Sequence, residues 1–142
     1  MKAVDQRRID SVAGDCFAAC VASLLELDLD TVPNFVAAKG NWIDIANDWA
    51  ATRNFQFVWW SASHGCIPAG NHILVGKSPR GDYSHAIVVN GPGYAEDIVH
   101  DPHPSRAGVE KWQFRYVLTP LDRVRVSGEG SNAGLPGQGE PR

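Results

Sequence analysis

The chain has 142 residues, 44% of them hydrophobic and 20% charged, which fits one domain with a single buried core and excludes wholesale disorder, collagen-like repeats and coiled coil. A formal charge of -3, with Lys and Arg scattered along the chain, supplies no basic field, so nucleic acid is not an expected partner. The longest apolar run, Cys16 to Leu25, is far too short to span a bilayer, and MKAVDQRRID puts charges where a signal peptide needs apolar residues. The expectation is a cytoplasmic protein with no membrane partner. In a reducing compartment its three cysteines favour thiol chemistry or metal binding over a disulfide framework.

In chain order, Gly14-Asp15 precedes CFAACVASLLEL, which reads as a helix capped by Asp15 and apolar nearly all round, hence threaded through the core. LDTVPNF is a turn. NWIDIANDWAATRN follows as an amphipathic surface helix with Trp42, Ile45, Ala46 and Trp49 on one stripe. From Phe55 the pattern becomes β: FQFVWWSA, HILVGKS, YSHAIVVN, EDIVHD and WQFRYVLTPL, separated by Gly, Pro, Asn and Asp turns. Adjacent Trp59 and Trp60 should face opposite sides of their strand, one into the core. Two helices and then consecutive strands predict an α+β fold, with the helices on one side of an antiparallel sheet. The folded domain should run over 1–126. The Gly/Pro-rich segment 127–142 lacks core-forming side chains and reads as a disordered tail.

Cys16 opens the first helix, where unpaired backbone N–H groups and the helix dipole favour a thiolate, whereas Cys20 lies one turn deeper as a small hydrophobe. Position alone leaves Cys16 open between a structural cysteine and a nucleophile. His85, on YSHAIVVN, is the candidate base. The turn NGPGY joins this strand to EDIVHD, and a hairpin centred on Gly93 sets His85 opposite Asp101, with Cβ atoms about 5 Å apart. A carboxylate there can hold the imidazole tautomer, completing a Cys, His, Asp set suited to nucleophilic catalysis.

Taken together, GDCFAACVASLLEL, DTVPNF, SHAIVVNG and VHDPHPSRAG resemble the small papain-like cysteine peptidase-type proteins of bacterial and phage genomes. More distantly they resemble the peptidases that process double-glycine leaders and the acyl-transfer enzyme of butirosin assembly. The resemblance implies a papain-like fold with Cys16 as nucleophile, His85 as general base and Asp101 as its orienting residue. It also implies that Gln6, ten residues upstream of Cys16, helps form the oxyanion hole.

Around that set, Tyr83, Asp15 and His103 are expected to border the substrate, with Asp15 serving mainly as the helix cap. Pro102 and Pro104 make His103 part of a rigid turn, and strand alternation turns His100 away from Asp101. His64, Cys66, His72, His100 and His103 lack the spacing of a zinc site, so no metal or other cofactor is expected. Arg7 and Arg8 read as a solvated turn. The expected activity is thiol-dependent hydrolysis of an amide bond in a peptide or a small amide or thioester substrate, through an acyl-enzyme. The alternatives are acyl transfer or transpeptidation by the same triad, or an inactive papain-like binding module. A domain this small needs a shallow groove or a partner protein to complete it.

Overall fold

The computed structural model describes residues 1–9, 14–38, 40–92 and 97–121. The tail expected over 127–142, and most of the turn after Pro92, lie outside the described residues. The fold is α+β: helices α1 (Cys16–Leu25) and α2 (Trp42–Ala51) precede strands β1 (Phe55–Ser61), β2 (Gly70–Lys77), β3 (Ser84–Gly91), β4 (Ile98–His100) and β5 (Trp112–Pro120). The five strands form one antiparallel sheet in the order β1-β5-β2-β3-β4. LDTVPNF folds into short 3-10 turns between the helices, at Leu29–Thr31 and Phe35–Ala38.

An all-round apolar sequence makes α1 a core helix, and Phe17 through Ser23 are buried along it. Its neighbours are Ile73, Ala86, Val88 and Tyr116 on one face of the sheet and Ala46 and Ala50 of α2. Leu74, Ile87 and Val89 pack against Ile98, Val109 and Trp112 in a second cluster free of helical residues. Both helices therefore cover one face of the sheet. Ser23 fits this apolar setting because its hydroxyl donates to the Ala19 carbonyl at 2.8 Å and accepts the Val4 amide at 2.9 Å.

Three local expectations are corrected. The buried stripe of α2 runs through Ala46 and Ala50, while Ile45 is 46% exposed; Ile43 packs on the core in its place. Neither Trp59 nor Trp60 enters the core. β1 is an edge strand whose inward position goes to Phe57; Trp59 stays 46% exposed on Tyr116 and Phe114, and Trp60 donates its indole N–H to the Cys66 carbonyl.

The third correction concerns the β3–β4 register. The observed pairs are Val88 with His100 and Val89 with Ile98, with an irregularity between them, and β4 ends at His100. Asp101 is thus beyond the ladder rather than opposite His85. Continuing the Val88–His100 register would set position 103 across from 85, and the rings of His85 and His103 are indeed 6.1 Å apart. Asp101 reaches His85 by another route. Its Oδ1 accepts the amide of His103 two residues on, a local turn that takes the chain off the strand before Pro102 and Pro104 can interrupt it.

Candidate active site

Cys16 is the first residue of α1, partly exposed, with its backbone N–H among those a helix start leaves without an intrahelical partner. Cys20 is fully buried one turn further, and burial pushes its thiol pKa well up. Cys66 is exposed, in the segment after β1. The three thiols occupy three different environments, and only Cys16 faces the pocket that His85 lines.

His85, the second residue of β3, is 3% exposed. Its Nε2 donates to Asp101 Oδ1 at 2.7 Å, which leaves Nδ1 for the Cys16 sulfur, with which it interacts. Burial opposes a charged imidazole, but the bond to Asp101 and the interaction with Cys16 outweigh it and raise the pKa from 6.5 to about 9. Asp101 is held from three sides. Oδ1 accepts from His85 and from the His103 amide at 2.9 Å, and Oδ2 accepts the Gly108 amide at 2.7 Å. Burial alone would raise this carboxyl; the three hydrogen bonds keep it below its ordinary value. Gly108 takes φ +75°, a conformation suited to glycine, and so turns its N–H onto the carboxylate.

The N-terminal segment closes one side of the site. Gln6 lines the same small cavity as Cys16, Tyr83, His85 and His103, its backbone N–H donating to the Pro102 carbonyl at 3.1 Å. One proton of its side-chain amide goes to the Arg8 carbonyl at 2.7 Å; the second has no partner among the described residues. Among those residues its buried Oε1 has no partner either.

Asp15 departs from its expected part. It makes no side-chain cap on α1; its Oδ1 accepts the amides of Arg7 at 3.0 Å and Arg8 at 2.9 Å instead. The carboxylate thereby ties the segment that carries Gln6 to the residue preceding Cys16. Sequence periodicity gives no sign of this bond, because its partners are backbone groups. Asp5 and Arg106 were also silent in the sequence. Arg106 pairs with both carboxylate oxygens of Asp5 and donates to the Asp101 carbonyl, joining the N-terminal segment to the loop of the triad acid. His100 adds to that seam, its Nε2 donating to the Val4 carbonyl at 2.9 Å beside Asp5.

Tyr83 immediately precedes β3, and like His103 it lines the cavity of about 90 Å³ at Cys16. A second, apolar groove of about 260 Å³ also opens at the Cys16–His85 pair. Its walls are Phe17, Trp42, Val75, Phe114 and Tyr116, with Phe17 edge-on to both Trp42 and Tyr116 at 5.1 Å. The site therefore joins a smaller lobe, where polar groups sit among apolar side chains such as Ile9 and Val36, and an apolar lobe at one thiol.

The histidines and cysteine considered for zinc are dispersed: His72 is buried on Arg115, His100 sits on Val4, and His103 is bound to Ser105. Among the described residues no group of three or more His, Cys, Asp or Glu is placed to hold a metal ion, and no helix is long and apolar enough to cross a membrane. Arg7, read as part of a solvated turn, pairs with Asp30. No family model matches the chain, and neither a curated protein nor a solved structure matches it.

Proposed function

We propose that the chain is a papain-like cysteine hydrolase that cleaves an amide bond, in a peptide or a small molecule, through a thioester acyl-enzyme on Cys16. One observation carries this reading: His85 is buried and clamped by Asp101 through Nε2, with Nδ1 left for a cysteine at the head of a core helix. Thiolate and imidazolium form a reactive pair. The thiolate attacks the carbonyl carbon, and the negative charge that develops on oxygen is met by the Cys16 amide and the free Gln6 proton. His85 passes its proton to the departing amine as the C–N bond breaks. It then takes a proton from water, which attacks the thioester and restores the thiol.

Hydrolysis and acyl transfer share every step up to the thioester. The test is therefore first for the acyl-enzyme. Limiting iodoacetamide should alkylate Cys16 well ahead of Cys20 and Cys66 by peptide mass spectrometry, and His85→Ala should abolish that preference. An activated thioester substrate should leave an acyl adduct on Cys16, cleared by water or by an added amine. Equal labelling of the accessible thiols, with no adduct, would leave a binding module as the surviving reading.

A further inference from the structure

The smaller lobe contains a cation that the chemistry above does not use. Arg80 lies in the turn between β2 and β3, fixed by its own amide donating to the hydroxyl of fully buried Ser78 at 3.1 Å. Its guanidinium donates to Ser105 Oγ at 3.0 Å, and its buried Nε has no partner among the described residues. Arg7 and Arg106 each pair with a carboxylate; among the described residues the Arg80 guanidinium has only this neutral hydroxyl. An arginine remains charged at any working pH, and a half-buried one with unused donors is matched by an anion.

The surroundings point the same way. Among the described residues no acidic side chain lines the cavity that Arg80 shares with Cys16, Tyr83, His85 and His103. Asp15, which precedes Cys16, is engaged by the Arg7 and Arg8 amides, and Asp82, two positions from Arg80, is exposed and outside the lining. His103 Nδ1 accepts the Ser105 amide at 3.0 Å, so the ring's proton is on Nε2 as a further donor. Burial and the neighbouring Arg80 charge keep this imidazole below its ordinary pKa and therefore neutral. At about 90 Å³ the cavity has room for several waters, enough for a carboxylate on a short stem.

We propose that Arg80 and His103 form a carboxylate subsite beside Cys16. The substrate is then an amide with an anionic group on one side of its scissile carbonyl and an apolar group, seated between Trp42 and Phe114, on the other. N-acyl amino acids and peptides cut next to an acidic or C-terminal residue have this form. The subsite rests on Cys16 being the nucleophile.

Iodoacetate and iodoacetamide test it, since they alkylate the same thiol with the same leaving group and differ in one charge. The readout is the ratio of their rates at Cys16 in low salt at pH 7, for the parent chain, Arg80→Met and Arg80→Lys. His85 also attracts the anion, but it is present in all three. The ratio should fall about tenfold in Arg80→Met, as expected for losing a charge-assisted hydrogen bond, and lie between the two in Arg80→Lys. Each rate is internal to one folded sample, so a general loss of reactivity divides out. An unchanged ratio in both variants, with Cys16 still the favoured thiol, would overturn the subsite and leave the nucleophile standing. A Cys16 no more reactive than Cys66 towards either reagent would overturn both.

Discussion

Asp101 receives the His85 Nε2 proton at 2.7 Å with both side chains almost wholly buried, at 1% and 2% exposure. The two residues are held together by a loop rather than by the ladder, and the carboxylate also anchors the His103 and Gly108 amides. Asp101→Asn replaces an acceptor with a donor among three donors. It should lower the acylation rate by about 100-fold through loss of imidazole control, and lower stability by about 1–3 kcal/mol. Kinetics with a thioester substrate and a thermal melt check both. Parent-like rates across pH 5 to 9 (roughly the range in which a histidine acts) would place the orienting group elsewhere, at His103 or Asp97.

The raised His85 pKa makes stability depend on pH in a defined direction. Between 6.5 and about 9 the folded chain retains a proton that the unfolded chain has released. The stabilisation is complete below 6.5 and disappears as pH rises through about 9, an effect on the order of 3 kcal/mol. Asp101, whose pKa is lowered, works at the other end: its contribution is present above 3.8 and is lost as pH falls through its folded value. Denaturant melts of parent and His85→Gln should diverge at neutral pH and converge above pH 9. Turnover should fall over the same alkaline limb, because the leaving amine needs the imidazolium proton.

Gln6 acts on charge that appears only when a carbonyl is attacked. Gln6→Ala should therefore leave iodoacetamide labelling of Cys16 near normal and reduce acylation by an ester or thioester by about 100- to 1,000-fold. Equal losses in the two assays would make Gln6 a structural residue, and no loss in either would remove it from the chemistry.

Asp15→Ala removes the acceptor of the Arg7 and Arg8 amides and so frees the segment that positions Gln6. It should reproduce the Gln6 split, with alkylation retained and acylation reduced, although Asp15 touches neither Gln6 nor the reacting atoms. A double variant with Gln6→Ala should then be little worse than Gln6→Ala alone, the sign of two residues acting through one contact. Additive losses would give Asp15 a separate part.

The helices, the five strands and their order in the chain were readable from residue pattern, because α1 is apolar all round and the strands are bounded by Gly, Pro, Asn and Asp. Cys16 at the head of α1 and His85 on β3 followed from the same pattern, since each position is set by its own element. The partnership of His85 with Asp101 was expected through a ladder register that the molecule does not use. A two-residue difference in register and a local turn at Asp101 arrive at the same contact, and no periodicity distinguishes those routes.

Sequence by itself determined the α+β class, the buried first helix and the places of Cys16 at its head and His85 on a strand, all consequences of local hydrophobic period. Tertiary structure decided what those residues meet. Asp15 turned from helix cap to anchor of the N-terminal segment, and Asp5 and Arg106 joined two stretches of chain about a hundred positions apart. Arg80 came to share a cavity with Cys16 and His103. Contacts of this kind depend on backbone amides and on loops crossing in space, and neither leaves a repeat in the order of the residues.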